Sequence, residues 1–144
     1  MDPRVKTSDN DLKDIHSLAF SCYNMRQKSM DMQNQLGSLH QQIKNNLIKT
    51  KSSTSKQLNN LDSLITLLER NTGGSDLNKV NGDAARLFGI INENDMPPTL
   101  QAKEAIIKTQ ADFSALLVKW ENLDNEIKKV NAALGKTKLP LLKP

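Results

Sequence analysis

The stretch IHSLAFSCYNMRQKSMDMQNQLGSLHQQI, residues 15–43, decides the fold class. Within it Ile15, Leu18, Cys22, Met25, Ser29, Met32, Leu36, Leu39 and Ile43 follow one another by alternate steps of three and four, and Ser29 alone is polar. Such steps keep one face of an α-helix apolar along its whole length, whereas a half-buried strand needs every second residue. Ser8 supplies an N-cap, with Asp9 and Asp11 in the favourable first turn, so the pattern predicts a helix over residues 8–49. At 1.5 Å per residue it is roughly 60 Å long. Gly37 is its weak point, since a helical glycine costs about 1 kcal/mol relative to alanine.

A matching seam closes the chain: Ala102, Ile106, Thr109, Phe113, Leu116, Trp120, Leu123, Ile127, Val130 and Leu134. It predicts a fourth helix over 99–134, capped by Thr99 after Pro97 and Pro98 have ended whatever precedes them. Between the two seams lie shorter patterns. Leu58, Leu61, Ile65 and Leu68 predict a second helix over 52–70, and Val80, Ala84, Leu87, Phe88 and Ile91 a third over 77–92. Residues 1–7 form a lead-in. Residues 135–144 form a tail, in which Gly135 is expected to take the left-handed position that ends the helix, and Leu139, Leu141 and Leu142 need cover.

The whole chain is 144 residues, one domain's worth, and its aromatic content of 3% disfavours a sheet. The expected architecture is therefore all-α: an elongated up-down-up-down four-helix bundle with two long helices, the first and fourth, and two short ones. In that path the short helices sheathe only part of the long pair. A two-helix extension remains, in which Ile15, Leu18, Cys22 and Met25 face Trp120, Leu123, Ile127 and Val130. Two helices leave part of such a seam in water, so Leu18, Cys22, Met25, Trp120, Leu123 and Ile127 become candidates for an interaction surface.

No run approaches the roughly 20 apolar residues that cross a bilayer, so no membrane insertion is expected, and the opening Met1-Asp2-Pro3-Arg4 lacks a signal peptide's apolar region. Motifs of catalysis are missing too: no phosphate loop, nucleophile elbow, paired-histidine zinc helix or dinucleotide fingerprint. His16 and His40 lie too far apart on one helix to share a metal, and Cys22 is the chain's single cysteine, on a seam position. Asp9, Asp11 and Asp14 suit a first helical turn. No catalytic residue, cofactor or metal ligand is expected. The net charge of +4 is modest, but residues 32–61 contain Lys44, Lys49, Lys51 and Lys56 and no acid. That window offers a face for a polyanion, although the absence of arginine and aromatic side chains from it argues against nucleic acid.

Several stretches carry a resemblance when taken in order. They are Asp2-Pro3-Arg4-Val5 with Asp11-Leu12, the run from Leu58 to Leu68, Asp76-Leu77-Asn78 with Asn81, and Gly89-Ile90-Ile91. Pro98-Thr99 with Gln101, Trp120 with Leu123, Asn131 with Leu134, and Leu139-Pro140 complete the series. Together they resemble the C-terminal helical region that follows sortilin-like, Asp-box (bacterial neuraminidase) repeat propellers in bacterial proteins labelled glycosyl hydrolases. The resemblance implies a secreted parent, with this chain as a noncatalytic structural or interaction module. Its partner would be the N-terminal propeller of the same protein or a second copy of the chain. It also admits an accessory role in a glycosyl hydrolase activity located elsewhere in the parent. No Asp-box occurs in these residues, and the resemblance assigns none of them a catalytic role.

Overall fold

The computed structural model describes residues 8–50, 53–71, 74–93 and 97–144. Residues 1–7, which include the expected lead-in, and residues 51–52, 72–73 and 94–96 lie outside them. All described regular structure is helical: α1 (Asp9–Lys49), α2 (Ser53–Glu69), α3 (Leu77–Asn92) and α4 (Leu100–Lys136). Two are long and two short, as the patterns predict. α1 begins in a reciprocal capping box, in which the Asp11 amide donates to Ser8 Oγ and the Ser8 amide to Asp11 Oδ2, each at 3.2 Å. It continues unbroken through Gly37, where nothing beyond the helix's own adjoining residues and backbone lies within 4 Å of the place a Cβ would take. Asp76 caps α3 by accepting from the Lys79 amide at 2.8 Å, and Thr99 caps α4 by accepting from that of Ala102 at 3.2 Å.

The path through these helices differs from an alternating one. Lys103 Nζ lies 3.1 Å from Asp14 Oδ2, and Gln110 Nε2 donates to Ser21 Oγ at 2.7 Å. Both pairs are 89 residues apart in sequence, so α4 runs parallel to α1 in constant register. α3 runs the opposite way, because Gln33 bonds Asn78 and Asn81 near its start while Tyr23 meets Phe88 near its end. α2 descends from the top of α1 to His40, which faces Asp62 and Glu69. Both short helices therefore travel down the same side, one after the other.

The cause lies in Asn71 and Asp76. Asp76 Oδ2 accepts from the Asn71 amide at 2.9 Å while Oδ1 caps α3, so one carboxylate ties the end of the descending strand of chain to the start of the next helix. α3 therefore keeps the direction of α2 instead of reversing it. Two helices of 17 and 16 residues in tandem span roughly 50 Å, close to the length of α1 and α4. The molecule is thus a bundle of three rods, the middle one broken once.

The two-helix extension is absent. α3 covers the first half of α1 and α2 the second, and the offset of 89 brings Trp120 to the level of Asp31, far from Ile15. Leu36, Leu39, Ile43, Leu58, Leu61, Ile65, Leu77, Ile106, Leu116 and Leu134 are fully buried along one continuous core.

Candidate functional site

At one end of the bundle the last turns of α1 and α4 meet the first turn of α2 and the closing segment 137–144. α4 stops in a Schellman arrangement: the Leu139 amide donates to the Leu134 carbonyl at 3.1 Å and that of Lys138 to Gly135 at 3.3 Å. Lys138, at φ 56°, holds the left-handed position. Gly135 stays helical, contrary to the sequence expectation, because the helix runs two residues past Leu134.

The turn sends the segment back between α1 and α4, where amide side chains hold its backbone. Asn131 donates to the Leu142 carbonyl at 2.9 Å and accepts from the Leu142 amide at 2.8 Å. Gln42 makes the same reciprocal pair with Lys143, at 2.8 Å in both directions. The buried Asn46 donates to the Pro140 carbonyl at 2.9 Å. Leu142 enters the core at 2% exposure.

This end concentrates positive charge. Of twenty basic and sixteen acidic residues in the chain, nine lysines and no acid fall within residues 32–61 and 127–144, so these windows hold +9 and the remainder −5. Eight of the nine are described and exposed: Lys44, Lys49, Lys56, Lys128, Lys129, Lys136, Lys138 and Lys143. Lys51 lies outside the described residues. Lys128 and Lys129 pair at 2.6 Å with Asp124 and Glu126, the last acids before the second window. The other six meet no carboxylate within ion-pair distance among the described residues.

Lys49 and Lys136 stand in the last turns of α1 and α4, where cations complement the helix dipole. That reason does not extend to Lys56 near the start of α2, where the dipole disfavours a cation, or to Lys138 and Lys143 beyond any helix. Two apolar side chains stand among the lysines. Ile48, four residues from Lys44 and next to Lys49, is 82% exposed, and Leu141, between Lys138 and Lys143, is 50% exposed.

The sequence-predicted interaction residues are not a surface. Cys22, Met25, Leu123 and Ile127 are buried, and Leu18 and Trp120 are half-buried against the core. The register also keeps the two sets apart. Burial raises the Cys22 thiol pKa and keeps it protonated, as suits a small core hydrophobe.

His40 is structural: its Nδ1 lies 2.5 Å from Asp62 Oδ1 and its Nε2 3.4 Å from Glu69 Oε2. The carboxylates address opposite nitrogens, so the three cannot converge on one metal ion, and no metal-competent group of three occurs among the described residues. A groove of about 490 Å³ between α2 and α4 has Leu123 at its floor and the exposed Leu64 and Leu67 along one wall, with Lys119, Glu126 and Lys129 on the other.

Sequence reading found Lys44, Lys49, Lys51 and Lys56 but missed Lys136, Lys138 and Lys143, which the parallel run of α1 and α4 carries to the same end. The available signal was a second acid-free window, from Ile127 to Pro144. Comparison with protein-family profiles, with curated proteins and with solved structures gives no match to the chain in any of the three.

Proposed function

We propose that this chain is a noncatalytic docking module that binds polyanions through the lysine-rich end of its helical bundle. One observation carries the reading: two acid-free windows, separated by more than sixty residues, converge at one end with six lysines that no carboxylate among the described residues neutralises. Lysine is a flexible point charge, suited to phosphate or sulfate groups without a fixed geometry. Titration against a sulfated polysaccharide and against duplex DNA at two ionic strengths tests it. Six phosphate contacts would lose roughly a thousandfold in affinity between about 50 and 200 mM salt. Reversing Lys49, Lys136 and Lys138 to glutamate removes the binding, whereas reversing Lys13, Lys28 and Lys108 leaves it. No binding to either polymer at low salt overturns the reading.

A second reading, packing against a neighbouring domain such as the propeller or against a second copy, has the α2–α4 groove in its favour. Leu64 at 42% and Leu67 at 54% exposure are apolar surface that such a contact would cover. A mass in solution that stays monomeric at all concentrations, with no association with an added propeller domain, counts against it.

A further inference from the structure

We infer that the polyanion this end takes is an anionic lipid surface, against which the rod docks end-on; the inference rests on the basic end being a binding site. The charge sits around the tip of a rod and not along a groove, so it presents an area to a plane more readily than a track to a strand. Neither acid-free window contains Arg, Phe, Tyr or Trp, so the tip lacks the planar groups that stack on bases or fork onto a phosphodiester.

What the tip has instead is apolar. Ile48 and Leu141, each flanked by lysines, are among the large hydrophobic residues that the fold leaves exposed. A phosphate-bearing bilayer offers both chemistries at once: headgroup charge for the lysines and, a few ångströms deeper, an acyl boundary for the aliphatic side chains. A free polysaccharide or DNA offers only the first. The −5 carried by the rest of the chain sets the orientation, because a negative surface repels that part and draws the tip. No helix of the described residues is long and apolar enough to cross the bilayer, so contact is confined to the headgroup region.

Co-sedimentation of the full chain with vesicles decides the matter. The probes are vesicles of phosphatidylcholine alone and vesicles with about a third phosphatidylglycerol; the sulfated polysaccharide is titrated in parallel. Binding is expected to the anionic vesicles only. Replacing Lys49, Lys136 and Lys138 by glutamine weakens it about a hundredfold, at roughly fivefold per charge. The double variant Ile48→Ser with Leu141→Ser weakens vesicle binding about tenfold or more and leaves polysaccharide binding unchanged. All five residues are exposed, and circular dichroism matching the parent confirms that each variant is folded.

Equal binding to neutral vesicles, or a double variant that binds vesicles as the parent does, overturns the lipid assignment. Binding to polysaccharide or DNA without binding to anionic vesicles overturns it too, and leaves the polyanion reading standing. Failure to bind any of these at low salt overturns both.

Discussion

Ser29 and Thr109 are the polar residues that interrupt the two long seams, and the fold treats them differently. Thr109 Oγ1 donates back to the Ala105 carbonyl at 2.8 Å, the usual resolution for a hydroxyl inside a helix. Ser29 is fully buried, and its Oγ has no hydrogen-bond partner among the described residues. A buried hydroxyl without a partner costs about 1–3 kcal/mol. Ser29→Ala is therefore expected to raise stability by about 1 kcal/mol in urea denaturation; a loss of similar size would show that the hydroxyl is bonded. That both positions belong to the seams was legible from spacing alone. Which hydroxyl finds an acceptor was not, because it depends on side-chain rotation.

The capping Ser8 lowers the pKa of Asp11, first through its hydroxyl and then through its amide. A carboxyl lowered in the folded state contributes stability above its ordinary value of 3.8, and that contribution is lost as pH falls through the folded value. An NMR titration of the Asp11 carboxyl is expected to give a midpoint below 3.8 in the parent and a return towards it in Ser8→Ala. An unchanged midpoint would remove the cap from the account.

At the scale of elements, the closing segment shows what periodicity cannot express. Three leucines without a helix were recognisable as needing cover, yet the groups that cover the segment are amides. Gln42, Asn46 and Asn131 look, in sequence, like the polar flank of any helix. They become a clamp only because α1 and α4 run parallel and bring residues 42 and 131 to one level. The same geometry misleads at Gly135, where composition suggested a helix end that Lys138 supplies. Asn131→Ala removes both bonds to Leu142, so the helices are expected to remain while the segment loosens. The Leu142 amide then exchanges about tenfold faster or more, and the protein loses about 1–2 kcal/mol. Exchange at the parent rate would place the hold on the segment in the burial of Leu142 and not in the clamp.

For the whole molecule, helix content, lengths and seams were all present in the spacing of apolar residues, because burial along a helix is periodic in sequence. The path was not, since it turns on whether residues 70–76 reverse the chain or pass it on. A turn-rich run containing Gly73 and Gly74 fits either outcome; the two bonds of Asp76 decide. The basic tip was half legible for the same reason, its second set of lysines depending on the direction of α4. That direction makes an independent prediction. A carbodiimide joins an amine to a carboxylate in direct contact, and Lys103 and Asp14 are 3.1 Å apart only if α4 runs parallel to α1. An alternating bundle would set Asp14 beside Lys128 or Lys129, a rod's length away. Mass spectrometry of the coupled, digested monomer is expected to recover the Lys103–Asp14 link, and with it Lys79–Asp112, which lie 4.0 Å apart between α3 and α4. Recovery of Asp14 linked to Lys128 or Lys129 would reverse α4, scatter the lysines of residues 127–144 from those of residues 44–56, and dissolve the tip on which the proposed binding depends.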